Sequence, residues 1–253
     1  MHNPSPRAAE ATVDADPDAT WRWIVASASA RYEGADGHAV RFARAKLGGD
    51  RVFRQVLERG LIPAGARVVD AGCGQGLFAS LLHAAAAAHD SGRWPAAWAP
   101  PPLRVHVTGI DTLEHDLGRA RSALGGSATF VHADMRRFDY PPCDAIVFFD
   151  TLHYMEPAEQ DAVLARARAA LNPRGALLLR VHDASAGLRF QFGKWIDRFT
   201  MLLHGGGFGR VGGRRLEGWK ASLELLGLGV ESCRMNGRPP FANLLIVGRL
   251  PGR

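Results

Sequence analysis

The sequence predicts an α/β fold: a mainly parallel sheet of seven strands with helices on both faces. Three observations carry that expectation. Strand-like apolar runs alternate with helix-like stretches through most of the chain. The run Val68-Val69-Asp70-Ala71-Gly72-Cys73-Gly74-Gln75-Gly76 leads from an apolar strand, through glycines at alternate positions, into an apolar helix. Asp144–Phe149 is continuously apolar after its first residue, as a central strand covered on both faces requires.

The elements follow in order. Residues 1–20, rich in Ala, Asp and Pro without apolar periodicity, predict a flexible leader. Residues 21–60 predict an N-terminal helical cap, with one helix opening at Trp21, Trp23 and Ile24 and a second spanning Ala39–Arg59. Residues 61–253 form the main domain. There Arg67–Ala71 reads as the first strand and Gln75–Ala88 as its helix. Val105–Ile110 is the second strand, Glu114–Leu124 a helix, and Ala128–Val131 a short third strand. Asp144–Phe149 is the fourth strand. The helix Ala158–Leu171 stops at Asn172-Pro173-Arg174-Gly175, before a fifth strand at Ala176–Val181. Leu188–Leu203 is amphipathic, Gly205-Gly206-Gly207 is a turn, and a helix covers Arg214–Leu226. Val230–Arg234 and Asn243–Arg249 close the sheet. Between the first helix and second strand, His89–Pro102 carries four prolines and two tryptophans, which predicts a surface excursion without regular structure.

The glycine turn points to a ligand lying on bare backbone, where no Cβ intrudes. Its Gly-x-Gly-x-Gly spacing differs from the Gly-x-Gly-x-x-Gly that seats a pyrophosphate on a helix N-terminus. A nucleoside without a bridging diphosphate fits better, and S-adenosylmethionine (SAM) is the commonest such ligand.

Bulk properties narrow the classes. Three well-separated cysteines, Cys73, Cys143 and Cys233, make neither a disulfide framework nor a structural zinc site, and no metal is expected. No apolar run is long enough to span a bilayer and no signal pattern opens the chain, so a cytoplasmic protein is expected. The net charge of +6 is uneven: from Ala184 onward eleven basic residues face four acidic ones. That excess suits a solvated basic face, an acidic protein partner or a membrane surface; nucleic acid is disfavoured because no recognition motif accompanies it.

At these residues the sequence resembles the class I SAM-dependent methyltransferases, over about Ala66 to Arg249, and so implies their Rossmann-like fold. The resemblance implies that Asp70, Gly72, Cys73, Gly74 and Gly76 lie against the methionine part of SAM. It also implies that Asp111, with Thr112 beside it, takes the ribose hydroxyls; a carboxylate accepts from two donors at once. His132-Ala133-Asp134-Met135 resembles the adenine turn, with Asp134 accepting from the exocyclic amine and Met135 packing on the ring. Asp150 belongs to the strand-four motif facing the transferred methyl, or else caps the following turn. Asp111 stands further past the glycines than the usual twenty or so residues. The proline-tryptophan excursion accounts for the extra length. The competing Asp90 has no strand before it.

A narrower resemblance, to the methyltransferases of bacterial aryl polyene (xanthomonadin-type) pigment clusters, rests on three stretches. They are Arg41–Leu47, Phe149-Asp150-Thr151-Leu152-His153-Tyr154-Met155 and Pro240-Phe241-Ala242-Asn243-Leu244-Leu245. It implies a small aromatic, hydroxyaryl acceptor, carried by an acyl carrier protein or free, and the secondary metabolism that goes with it. A weak acceptor of that kind gains from deprotonation, and the bases available where strands four and five end are His153, Tyr154, His182 and Asp183, with His153 the first choice. The structural alternatives are hydrogen bonding for the histidines and a pocket wall for Tyr154. Arg44 and Lys46 are within reach of the SAM carboxylate from the N-terminal helix or else form a solvated face, the latter slightly preferred. A catalytically inactive SAM-binding scaffold, a nucleotide-dependent oxidoreductase and an RNA methyltransferase remain as alternatives.

Overall fold

The computed structural model describes residues 14–182, 214–235 and 243–252. The leader's first thirteen residues, the amphipathic stretch Leu188–Leu203, the triple glycine and Pro240-Phe241-Ala242 lie outside the described residues. So do the basic residues between 183 and 213.

Seven strands form one sheet in the order β3-β2-β1-β4-β5-β7-β6. They are β1 (Arg67–Ala71), β2 (His106–Asp111), β3 (Thr129–His132), β4 (Cys143–Phe149), β5 (Leu171–His182), β6 (Gly229–Met235) and β7 (Asn243–Arg249). β7 runs antiparallel between β5 and β6, and the remaining pairings are parallel. The mainly parallel, seven-stranded expectation is met. The helices are α1 (Pro17–Ala30), α2 (Gly37–Gly49), α3 (Arg51–Glu58), α4 (Leu77–Asp90), α5 (Glu114–Leu124), α6 (Pro157–Ala170) and α7 (Leu216–Leu225).

The period-two alternation of the strands divides the interior into two cores. Val68, Val107, Ala145, Val147 and Leu178 face α1–α5, whereas Val69, Ile110, Ile146, Phe148, Leu177 and Leu179 face α6 and α7.

Three expectations are corrected. Helix α1 begins at Pro17, inside the supposed leader, because Asp16 caps it by accepting from the Asp18 and Ala19 N–H groups. The single helix over Ala39–Arg59 is two. Asp50 has φ −102° and ψ 112°, ends α2, and caps α3 by accepting from Val52 N–H at 3.2 Å. The N-terminal helical cap is present and is bonded to the main domain: Ser80 Oγ donates to Ala28 O at 2.9 Å, and Tyr32 Oη to Gln75 O at 2.8 Å. Its buried residues join the core on one face of the sheet. Finally, β5 starts at Leu171 rather than Ala176. Leu171 pairs with Cys143 and Ala176 with Ala145, so Asn172–Gly175 bulge out between them.

The proline-tryptophan excursion has no regular structure but is anchored. Trp94 and Trp98 pack edge to face at 5.1 Å, and Ala99 N–H donates to Glu58 O at 3.0 Å.

Candidate active site

Gly72 (φ +83°), Gly74 (φ +51°) and Gly76 (φ +77°) occupy the left-handed region, which explains why this turn is built of glycine. Gly72 and Cys73 N–H both donate to Ile110 O, at 2.8 and 3.0 Å. The turn is thereby pulled against the end of β2. There Asp111 Oδ2 accepts from Gly74 N–H at 2.8 Å, and its Oδ1 accepts from Leu113 N–H at 2.9 Å.

Above this turn, at the carboxyl ends of β1, β2 and β4, lies a cavity of about 590 Å³. Parallel sheets commonly place ligands in this position. Asp70, Gly72, Cys73, Gly74, Asp111, Thr112, Asp134, Met135, Asp150 and Tyr154 all line it. Gly76 sits one step back: a Cβ there would press on Phe130 at 2.9 Å. Helix α2 contributes His38, Phe42 and Lys46, four residues apart and therefore on one face. Phe53, Phe78 and Phe149 form an aromatic wall with edge contacts at 6.0 and 5.3 Å.

Electrostatics distinguish the acids. Burial, reinforced by the charge of Asp111, pushes the Asp70 carboxyl up to about 7. Burial also raises the Cys73 thiol, helped by Asp70 and Asp111, so Cys73 is a neutral packing group rather than a nucleophile. Asp134 is held below the usual carboxylate range by Arg136, whose guanidinium donates to both of its oxygens at 2.7–3.0 Å.

The catalytic expectations separate. Tyr154 borders the cavity and is 37% exposed. His153 is 3% exposed and is not among the lining residues; the short 3₁₀ turn over Leu152–Tyr154 turns its ring inward, 4.1 Å from that of Tyr154. His182 closes β5 opposite Asn243, and the expectations for its side chain and for Asp183 lie outside the described residues.

Lys46, weighed between a solvated face and the SAM carboxylate, lines the cavity and donates to Asp50 Oδ2 at 2.9 Å and Asp150 Oδ2 at 2.7 Å; Arg44 is exposed. Two residues escaped sequence reasoning, Asp50 and Arg180. Asp50 is nearly buried. Burial pushes its carboxyl up, but Arg180 and Lys46 outweigh that and hold it below its ordinary value. Arg180 is buried at the end of β5 and pairs with Asp50 at 3.0 Å and with Asp150. Its signal was available: an arginine inside an apolar strand needs a buried partner.

The residues present fit a nucleoside sulfonium. Gly74 lines the cavity with nothing within 4 Å of the place a Cβ would take, and Asp111 stands beside it at the strand end. This sheet order, with a cavity over a glycine turn at the carboxyl ends of parallel strands, defines a class I SAM-dependent methyltransferase domain, whose cofactor is SAM. The chain belongs to the methyltransferase-domain family, which matches residues 41–215.

Among curated proteins, a carboxy-S-adenosyl-L-methionine synthase of Chromohalobacter salexigens is 34% identical over 120 residues. That match covers 46% of this chain and 39% of the relative, less than half of its length. Among solved structures, an O-methyltransferase family protein of Burkholderia thailandensis superposes with a TM-score of 0.59 at 18% identity, covering 90% of this chain and 64% of that one. Magnesium protoporphyrin IX methyltransferase of Synechocystis PCC 6803, with S-adenosylhomocysteine bound, superposes at 0.56 and 18% identity, covering 92% of this chain and all of that one. At such identities these likenesses show the fold.

Among the described residues no helix is long and apolar enough to cross a membrane. None of their His, Cys, Asp or Glu side chains form a group of three that could hold a metal ion.

Proposed function

We propose that this protein transfers a methyl group from SAM to a small hydroxyaryl acceptor. One observation carries the reading: a single cavity joins a bare glycine cradle to an aromatic wall of Phe42, Phe53, Phe149 and Tyr154. When bound, the sulfonium supplies an electrophilic methyl for in-line displacement, so positioning the acceptor provides much of the rate. In this reading Asp111 grips the ribose hydroxyls with the lone pairs left by Gly74 and Leu113, and Thr112 borders them. Gly72, Cys73, Gly74 and Gly76 form the floor under the methionine part, with Asp70 beneath the cation. Met135 packs on the adenine, and Asp134, already held by Arg136, offers its remaining lone pairs to the exocyclic amine. Tyr154 orients the acceptor and excludes water; the buried His153 supports that turn.

The aryl polyene resemblance supports an acceptor tethered to an acyl carrier protein, steered by basic residues. Arg214 is unsuited to that docking role, because it forks Asp161 at 2.7 and 2.8 Å; the exposed Arg215 is the better candidate. The test is a methyl-donor assay over hydroxybenzoate-type acids, free and carrier-tethered. Methylated product is expected. Cofactor binding without turnover on any of them would favour an inactive, SAM-binding scaffold instead.

A second reading is favoured by the stretch of identity to the carboxy-S-adenosyl-L-methionine synthase. There the chain would handle a SAM carrying a carboxyl on its transferable carbon. Mass spectrometry of the cofactor retained through purification distinguishes the two.

A further inference from the structure

A closed ring of four charges borders the cavity. Lys46 Nζ lies 2.9 Å from Asp50 Oδ2 and 2.7 Å from Asp150 Oδ2. Arg180 Nη2 lies 3.0 Å from Asp50 Oδ2, and its Nη1 meets Asp150 Oδ1. Every charge has an opposite charge on either side, and the ring is neutral as a whole. It also has an inner and an outer edge. The side chains of Arg180 and Asp50 are each 8% exposed, against 23% for Asp150 and 31% for Lys46. Lys46, Asp50 and Asp150 line the cavity, while Arg180 stands behind them.

Asp150 has φ +62°, uncommon for a residue other than glycine. Such backbone persists where its surroundings over-determine it, and this tends to occur at functional sites. Here Asp150 N–H donates to Arg180 O at 3.2 Å, while the carboxylate is held by Arg180 and Lys46. The next residue, Thr151, lies where a Cβ on Gly72 would fall, so the same turn closes against the glycine cradle.

We infer that Arg180 and Asp50 are positioning residues for the amino-acid end of the cofactor: they hold Lys46 and Asp150 so that the ring's outer edge offers one cation and one anion, side by side, to a zwitterion. The inference rests on the cofactor reading above and specifies how the chain recognises that end of the molecule. An α-amino acid carries an ammonium and a carboxylate on one carbon, the reverse of the Lys46–Asp150 edge. Without Arg180 two carboxylates would share a single ammonium, and the edge would turn net negative and repel the incoming carboxylate. Lysine at 180 keeps the charge but lacks the planar fork that reaches two carboxylates at once.

The test compares two thioether nucleosides by calorimetry: S-adenosylhomocysteine, which has the amino-acid end, and methylthioadenosine, which lacks it. Arg180→Lys is expected to weaken S-adenosylhomocysteine about tenfold or more while methylthioadenosine stays within about twofold, since displaced ligand geometry is costly. Should Arg180→Lys fail to fold, Asp50→Asn decides. Asparagine keeps the α3 cap but crowds both cations onto Asp150, and the same split between ligands is expected. Equal weakening of both nucleosides, or no weakening of either, overturns the inference and leaves the cofactor reading intact. Wild-type protein that binds neither overturns both.

Discussion

Asp111 accepts the Gly74 N–H at 2.8 Å, so the end of β2 and the glycine turn after β1 form one rigid unit. The carboxylate therefore shapes the cradle as well as lining the cavity. Asp111→Ala is expected to weaken S-adenosylhomocysteine by about 1–3 kcal/mol, roughly five- to 150-fold, by leaving that donor unpaired. Calorimetry checks it, and an unchanged affinity would remove Asp111 from the site.

The neighbouring acid gives a pH signature. The Asp70 carboxyl titrates near 3.8 in an unfolded chain but is pushed up to about 7 in the fold by burial, with the Asp111 charge adding to it. Between those values the native state binds more protons than the unfolded one. The stability from this group is thus full below the unfolded value and is lost as pH rises through about 7. The melting temperature of ligand-free Asp70→Asn is expected to fall less than that of the wild type as pH rises across this range. Cationic SAM also favours the ionised form, so its affinity relative to neutral S-adenosylhomocysteine is expected to increase with pH. A ratio independent of pH would place Asp70 away from the sulfonium.

Two glycines of the turn are expected to respond differently to alanine. A Cβ at Gly72 would collide with Thr151 Cγ2, whereas at Gly74 it would meet nothing within 4 Å. Gly74→Ala should cost the ligand-free fold only about 1 kcal/mol, for its positive φ, yet lose most cofactor affinity. Gly72→Ala should lower the melting temperature further as well as binding. Identical melting losses in the two variants would contradict this.

His153 and Tyr154, adjacent in sequence, are expected to part in their effects. His153→Ala should destabilise by about 1–3 kcal/mol, as loss of a buried side chain does, with turnover per folded molecule little changed. Tyr154→Phe should leave the melting temperature nearly unaltered and slow methylation of a hydroxyaryl acid by about tenfold. A pH-rate profile that loses its acidic limb in His153→Ala would reverse the assignment.

The glycine turn, Asp111 at its strand end and the alternation of strands with helices were legible because each follows from local rules: backbone freedom, strand period and helix signals. Asp50 was harder to read, since an amphipathic pattern continues across the break it makes. The direction of His153 was hidden, because one residue of 3₁₀ turn decides which neighbour faces the cavity.

By itself, then, the chain determined its sheet, its cradle and the chemistry of the ligand that cradle takes, all of them encoded within short windows of sequence. Tertiary structure alone decided that Lys46, Asp50, Asp150 and Arg180 would meet. Lys46 and Asp50 stand at the end of α2, whereas Asp150 follows β4 and Arg180 lies in β5, a hundred residues or more further along, and charges so separated find one another only after the apolar faces have packed. Burial then makes that meeting obligatory, because a desolvated arginine without its carboxylates would oppose folding.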